Sequence, residues 1–365
     1  MQTMRQLDPH TTASPAENAE QRLLGWLHAA GSVLIGFSGG VDSAYLACVA
    51  VESLGAEHVL AVIGRSTSYP EVQWVRARTV AEQFGIPVLE VDTDELQDPR
   101  YAANPSNRCY FCKSELWHVL TPIARERGLA WVIDGTNADD LSGHRPGAAA
   151  AREQGVRSPL AEVGMTKAEI RERSHARNIP TWDQPASPCL ASRIPYGTEV
   201  TSERLRLVER AESALRALGV RGDLRVRLHG PLARIELSSQ ELEQSLRSER
   251  ATQLGDAVAG AGFERVAIDL AGFRSGSLNA MVRDHASRAN SPPNADALAA
   301  ALRERGLALA VTAHGSMAVL EQGAGRGALG AGDYGLGTSP STIADLAQEC
   351  GFTHAALELR PAPGH

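Results

Sequence analysis

The sequence predicts a doubly wound α/β domain over residues 19–198, then a smaller α+β domain over 199–281, then a degenerate partial repeat of that smaller domain over 282–365. Three observations carry this reading. In the first half, short apolar runs alternate with segments of helical period, the pattern of a parallel sheet covered on both faces. After Pro195-Tyr196-Gly197 the alternation gives way to a charged helix and closely spaced short strands. Two stretches then recur in the same order: LRVRLHGPLARIE (224–236) resembles LAVTAHGSMAVLE (309–321), and AGAGFERVAIDL (259–270) resembles AQECGFTHAALEL (347–359).

Residues 1–18 are polar, carry no apolar period and read as a disordered tail. Leu23, Leu24 and Leu27 recur at helical spacing and predict a first helix from near Ala19. Val33, Leu34 and Ile35 read as a strand, SGGVDS (38–43) as a turn, and the following apolar-periodic segment as a helix. HVLAVIGR, PVLEVDT and AWVIDGT continue as strands, separated by helices in EVQWVRARTVAEQFG and SELWHVLTPIARERG. Ligands of such sheets lie at the carboxyl ends of the strands. Ser38-Gly39-Gly40, Arg65-Ser66 and Gly135-Thr136-Asn137 are therefore expected on one edge. Beyond residue 198, SERLRLVERAESALRALG predicts a helix, DLRVRLHG and LARIELS two strands, and RVAIDLAG a final strand after a further helix. Within the repeat, GAGRGALGAGDYGLGTSPS reads as a flexible insertion, and Ala310 and Thr312 fall opposite Arg225 and Arg227.

Apolar residues make up 43% and charged residues 22% of the 365, which is globular composition. A net charge of −7 argues against a general basic surface for nucleic acid and suits a small anionic substrate held by a few arginines. No run of about 18 apolar residues occurs and the N-terminal stretch lacks a secretory apolar core, so no membrane partner and a cytoplasmic location are expected. The cysteines, Cys48, Cys109, Cys112, Cys189 and Cys350, are too few and too uneven for a disulfide framework. Each is therefore core, catalytic or metal-binding.

SGGVDS between a strand and a helix start is a phosphate cradle. Its glycines admit close approach, the helix N-terminus offers N–H groups, and Ser38 and Ser43 add hydroxyls. It lacks the lysine of GxxxxGK[ST], which disfavours kinase-like transfer, and Asp42 suits a Mg2+ bridging to pyrophosphate. A plain glycine turn is the bland alternative. Cys109-x-x-Cys112 is a spacing for zinc, for an iron–sulfur cluster or for a redox pair, with reduced surface thiols as the alternative. Cys189 follows Pro188 with Ser192 and Arg193 close by, which suits a reactive site. Cys48 reads as core, and Cys350 has no assigned role. Arg225 and Arg227 alternate on one strand and form either a fork for a phosphate monoester or a solvated strand face. Arg193 is a further phosphate candidate, and Arg145 and Asp140 belong to the nucleotide side. His118, His144 and His229 read as incidental.

SGGVDS also resembles the pyrophosphate loop of the PP-loop (N-type) ATP pyrophosphatases, of adenine nucleotide alpha hydrolase-like fold, which cleave ATP to AMP and PPi while adenylating an oxygen. That resemblance implies that Ser38, Gly39, Gly40, Asp42 and Ser43 hold the pyrophosphate, and that DGTNADD (134–140), with Gly135, Thr136 and Asp140, is a second nucleotide-side loop. NRCYFCKSELW (107–117), DGTNADDLSGHRPG (134–147), SPLAEVGMTKAEIR (158–171) and PCLASRIPYGTEVT (188–201) together are similar to the LarE family of ATP-dependent sulfur transferases. The similarity runs from about residue 20 to about residue 281. It implies adenylation of the carboxylates of pyridinium-3,5-biscarboxylic acid mononucleotide and replacement of oxygen by sulfur, a step of nickel-pincer nucleotide synthesis. Arg193, Arg225 and Arg227 would take the substrate phosphate, and residues 199–281 would carry that site and the contacts of a homo-oligomer. One subgroup of the family has a single cysteine at the position of Cys189 and sacrifices its sulfur. Another has three cysteines holding a 4Fe-4S cluster with one open iron. With Cys109, Cys112 and Cys189 all present, the resemblance favours the cluster, and the sulfide donor is unknown. A tRNA thiolation enzyme of the same superfamily is the alternative and would need a large basic surface. An ammonia-using synthetase has no use for three cysteines, and a dead ATPase serving assembly is at odds with an intact SGGVDS.

Overall fold

The computed structural model describes residues 14–142, 146–274, 292–322 and 338–360, which form two compact units meeting in sequence at Pro188 and Cys189. Residues 1–13 of the predicted tail, His144 and Arg145, the end of the family resemblance at 275–281 and most of the Gly-rich insertion lie outside the described residues.

The first unit runs α1 (Pro15–Ala30), β1 (Val33–Gly36), α2 (Val41–Leu54), β2 (Val59–Arg65), α3 (Glu71–Gln83), β3 (Val88–Asp92), α4 (Pro99–Ala102), α5 (Arg108–Glu126), β4 (Trp131–Ile133), α6 (Pro146–Glu153), α7 (Pro159–Glu162) and α8 (Lys167–Ala176). All its strand pairs are parallel, in the order β3-β2-β1-β4. Helices cover both faces because strand side chains alternate. Val33, Ile35, Ala61 and Ile63 join a core with residues of α1, α2, α3 and α8, while Leu34 and Val62 pack with Trp117, Leu120, Ala150 and Ala151 of α5 and α6. The doubly wound sheet expected from the alternation is therefore present. The first helix starts at Pro15, upstream of the expected Ala19. Ser14 and Glu17 close a capping box there, with proline at the first turn, and this local chemistry begins the helix before its leucine stripe does. Glu20 on α1 then ties the unit together, bonded by Tyr45 Oη (2.7 Å), Arg173 (2.9 Å) and Arg177 (2.7 Å). Burial alone would raise its pKa, but the two arginines and the tyrosine hold it down at about 2.

The second unit contains α9 (Ser202–Ala217), β5 (Leu224–His229), β6 (Leu232–Leu237), α10 (Ser239–Ser245), α11 (Ser248–Gly260), β7 (Arg265–Asp269), α12 (Ala295–Glu304), β8 (Leu309–His314), β9 (Met317–Gln322), α13 (Pro340–Glu349) and β10 (His354–Arg360). One six-stranded sheet has the order β5-β6-β7-β10-β9-β8. β5 and β6 are antiparallel and β6 and β7 parallel; β8 and β9 are antiparallel and β9 and β10 parallel. The two sequence repeats are therefore two copies of one hairpin-helix-strand unit, and they meet where β7 and β10 pair antiparallel, as on a two-fold axis.

Candidate functional site

Strand order 3-2-1-4 reverses direction beside β1, so the loops after β1 and β4 flank the crevice where nucleotides bind in open α/β sheets. Ser38, Gly39 and Gly40 lie at the N-terminus of α2, where the first N–H groups of the helix have no partner within it. Gly39 has φ +67°, and a Cβ there would fall 2.5 Å from Ala77 Cβ. Gly135 approaches α2 so closely that a Cβ would stand 2.9 Å from Ser43 N. Gly39 is thus required for the loop to pack against α3, and Gly135 for the loop after β4 to close on the start of α2. Ser38 Oγ and Ser43 Oγ lie 3.2 Å apart, and the Ser38 carbonyl accepts from Tyr69 Oη and Gln73 Nε2, each at 2.9 Å.

Asp42, in the first turn of α2, accepts from Asn137 Nδ2 at 3.3 Å and pairs with Lys167 Nζ at 2.6 Å. The backbone N–H of Lys167 donates to Asp139 at 2.8 Å, and Asp140 accepts from Asn137 N at 3.3 Å. Thr136 donates through both N–H and hydroxyl to Asp134. Ser38, Gly39, Gly40, Asp42, Ser43, Gly135, Thr136 and Asp140 are therefore brought to one edge of the sheet. Lys167 is the residue that sequence reasoning missed. It lies inside SPLAEVGMTKAEIR (158–171), and its signal was only a lysine at a helix start, where the dipole disfavours cations unless an anion waits nearby. Ser66 and Ser68, after β2, both donate to the buried Glu95 and serve structure.

Cys109 and Cys112 stand one turn apart at the start of α5, Cys109 exposed and Cys112 half-buried. A helix N-terminus favours thiolates, so the pair fits two cluster or zinc ligands. Cys48 is core as expected, and burial pushes its thiol up to about 12.

In the second unit Cys189 caps a short turn (Leu190–Arg193), and its carbonyl accepts from Ser192 N (3.0 Å) and Arg193 Nη1 (3.1 Å). Arg193 is buried and grips Glu212 of α9 at 2.8 and 2.9 Å, while Glu212 also accepts from Val226 N at 3.0 Å. Arg225 and Arg227 are likewise buried, so the face is not a solvated one. Arg227 pairs with Glu236 at 2.9 Å and donates to Ser192 O at 2.6 Å, which ties the cysteine loop to β5. Arg225 donates to Leu224 O and lies over the Phe273 ring. Burial, then the neighbouring Arg193 charge, lowers its pKa to about 10.

Beside this fork, on the same face of the sheet, is a buried layer with His229 half-buried among it, which the sequence reading did not find. Arg234 bridges Glu236 (3.0 Å) and Asp269, and its Nε meets His229 Nε2 at 3.2 Å. Burial would raise Glu236, but Arg234 and Arg227 hold it below the usual carboxylate range. His229, read as incidental, belongs to this layer; burial and Arg234 keep it neutral. Glu236, Asp269 and His354 have donor atoms within 4.8 Å of one another. The Arg234 guanidinium already binds both carboxylates, so the layer is an ion network rather than a cation site. The available signal was the alternation of Arg234 and Glu236, matching that of Arg225 and Arg227.

Comparison with known proteins agrees with both units. The NAD synthase family model matches residues 24–105. An uncharacterized protein of Synechocystis is 46% identical over 246 residues, covering 67% of this chain and 91% of its own length. Pyridinium-3,5-bisthiocarboxylic acid mononucleotide synthase of Lactiplantibacillus plantarum is 34% identical over 247 residues, covering 68% of this chain and 88% of its own. An uncharacterized protein of Methanocaldococcus jannaschii is 29% identical over 243 residues, 67% of this chain and 91% of its own.

Proposed function

Because the chain belongs to the LarE family of ATP-dependent sulfur transferases, we propose that it adenylates the carboxylates of pyridinium-3,5-biscarboxylic acid mononucleotide and exchanges their oxygen for sulfur. The observation that carries this reading is 34% identity across 88% of a protein named as the synthase of the bisthiocarboxylate product. The cradle around Asp42 and the arginine fork support it.

In this reading a substrate carboxylate oxygen attacks the α-phosphorus of ATP and the bond to pyrophosphate breaks. Sulfide then attacks the acyl carbon, and AMP leaves with the activated oxygen. Ser38, Gly39, Gly40, Asp42 and Ser43 hold the pyrophosphate through α2 N–H groups and hydroxyls, with Gly135, Thr136 and Asp140 on the nucleotide's other side. Lys167 keeps a cation beside Asp42, where negative charge develops. Mg2+ bound through Asp42 would neutralise the leaving pyrophosphate. Arg193, Arg225 and Arg227 hold the substrate phosphate, and Cys189 stands at the sulfur-transfer end. A 4Fe-4S cluster on Cys109, Cys112 and Cys189 would supply sulfide through an iron without a protein ligand. In this reading the enzyme works in the cytoplasm as a homo-oligomer, and the donor that supplies its sulfide is unknown. Among the described residues no helix is long and apolar enough to cross a membrane.

The test is anaerobic purification with iron and acid-labile sulfide assayed for the wild type and for Cys109→Ala, Cys112→Ala and Cys189→Ala. About four irons per chain, lost in each variant, are expected. With the biscarboxylate mononucleotide, ATP and sulfide, AMP should form in step with thiocarboxylate. Thiolation of tRNA instead would overturn the substrate. Absence of iron after reconstitution would overturn the cluster and leave Cys189 as a sacrificial donor, visible as loss of the elements of hydrogen sulfide from the protein mass.

A further inference from the structure

The proposed reaction asks Asp42 to hold Mg2+, yet the fold already supplies that carboxylate with a cation. Lys167 Nζ lies 2.6 Å from Asp42 Oδ2, and Asn137 Nδ2 donates to Oδ1 at 3.3 Å, so each carboxylate oxygen has a donor from the same unit. The placement of the lysine is over-determined. Lys167 is the first residue of α8, where the helix dipole disfavours a cation. Thr166 and Glu169 close a capping box around that turn, the Lys167 N–H donates to Asp139 at 2.8 Å, and Ala138 N donates to Met165 O at 2.9 Å. The turn after β4 is thereby clasped to the start of α8.

Backbone on both sides of the ion pair is thus fixed, but the lysine stem is not. The side chains are 34% exposed at Lys167 and 22% at Asp42, and an ammonium on a flexible four-carbon stem can leave the carboxylate without moving either helix. Carboxylate oxygen is the donor type that Mg2+ takes, and the ammonium is the stand-in cation on it. A metal and an ammonium on one carboxylate repel each other at short range. A free divalent ion would have to break the ion pair and leave the ammonium with no anion to receive it. A polyphosphate arriving with the metal removes that penalty, because its oxygens can take the displaced ammonium.

We propose that Lys167 is the exchangeable counter-ion of Asp42. It keeps free divalent metal off the carboxylate, so that metal enters together with nucleotide and the ammonium passes from Asp42 to the phosphates in the same event. This rests on the reading of the cradle as a Mg2+–pyrophosphate site. Metal and nucleotide then strengthen each other's binding, as linkage requires.

The experiment follows Mn2+ binding to the full chain by electron paramagnetic resonance. Each protein is compared with the same protein carrying Asp42→Asn, so that only metal dependent on Asp42 is counted. Without nucleotide, this binding should be at least about 10-fold tighter in Lys167→Met than in wild type, the worth of one charge-assisted contact. With a nonhydrolysable ATP analogue the sign reverses. Lys167→Met should bind the Mn2+–analogue complex about 10-fold more weakly than wild type, because the phosphates have lost the ammonium. A purely structural tie would weaken both kinds of binding. Unchanged Mn2+ affinity in nucleotide-free Lys167→Met, or a loss under both conditions, would overturn the exchange and leave the cradle standing. If wild type takes up the Mn2+–analogue complex independently of Asp42, the metal reading of the cradle fails and takes this inference with it. Should Lys167→Met not fold, Lys167→Gln replaces it and wild type supplies a second check. Equal Asp42-dependent Mn2+ affinity with and without the analogue in wild type would show that Lys167 does not keep metal out.

Discussion

In the first copy of the duplicated sheet, the β5–β6 hairpin buries Arg225, Arg227, Arg234 and Glu236. In the second, β8 leaves Ala310 and Thr312 exposed, and Val319 of β9 stands where the first copy has Arg234. Strand order, hairpin register and the parallel third strand are the same in both. Backbone geometry therefore does not depend on the charges. Buried charge needs partners, and the arginines of the first copy have theirs in Glu212 on α9, Glu236 on β6, Asp269 on β7 and the Cys189–Arg193 turn. The second copy has lost the arginines and with them any need of that cover. Its remaining acids, Glu321 and Glu358, serve Arg265 across the axis.

The contrast between the copies is tested most severely at Arg234. Arg234→Met strips the shared cation from Glu236 and Asp269 and should cost about 3–5 kcal/mol in urea unfolding, the range for breaking a buried ion pair. The matching Val319→Ala removes only apolar contacts and should cost about 2 kcal/mol. Equal losses would mean that the buried network does not distinguish the copies.

A pH series separates the two sides of the axis. Arg265 stays charged, its pKa raised first by its hydrogen bond to Glu358, whereas burial, then Arg234, lowers His354 to about 2. His354 is therefore neutral when folded but takes a proton in the unfolded chain below about 6.5. Its contribution is present above that pH and is lost as pH falls toward 2. Between about pH 6 and pH 4, the unfolding free energy of His354→Gln should fall less steeply than wild type, by up to about 1.4 kcal/mol per pH unit. Identical slopes in parallel urea titrations would show that His354 is not held neutral.

The mildest change belongs to the open hairpin. Thr312→Arg restores the residue type of Arg227 at an exposed position and should change stability by no more than about 0.5 kcal/mol. A larger loss would show that β8 is covered in solution as β5 is.

Much of this was legible in the chain. Short continuous apolar runs between helical segments specified the parallel sheet, because each strand must bury both faces, as Leu34 does against α5 and α6 while Val33 and Ile35 face α1 and α2. The glycines of SGGVDS signalled close backbone approach; at Gly135 it emerged from the structure, where the 2.9 Å between a Cβ and Ser43 N shows why no larger residue fits. The repeat was visible in two short matches. The partners of the functional side chains were not. Lys167 is 125 positions from Asp42, and Asp269 is 35 from Arg234, and nothing local marks either pair. Burial was also hidden, since an alternating Arg-x-Arg strand reads the same whether its face meets water or a covering turn.

The order of residues thus carried the local terms: where strands and helices form, which turns need glycine, which family the motifs resemble, and that one hairpin is written twice. Which charges meet was a matter of packing in three dimensions. Hydrophobic period and turn chemistry are properties of neighbouring residues, whereas the energy of a buried ion depends on the dielectric around it and on partners far away in sequence. That is why Arg227 could be read as a phosphate ligand from its strand, but its dependence on Glu236, and the reach of His354 into the same layer, emerged only when β6, β7 and β10 lay side by side.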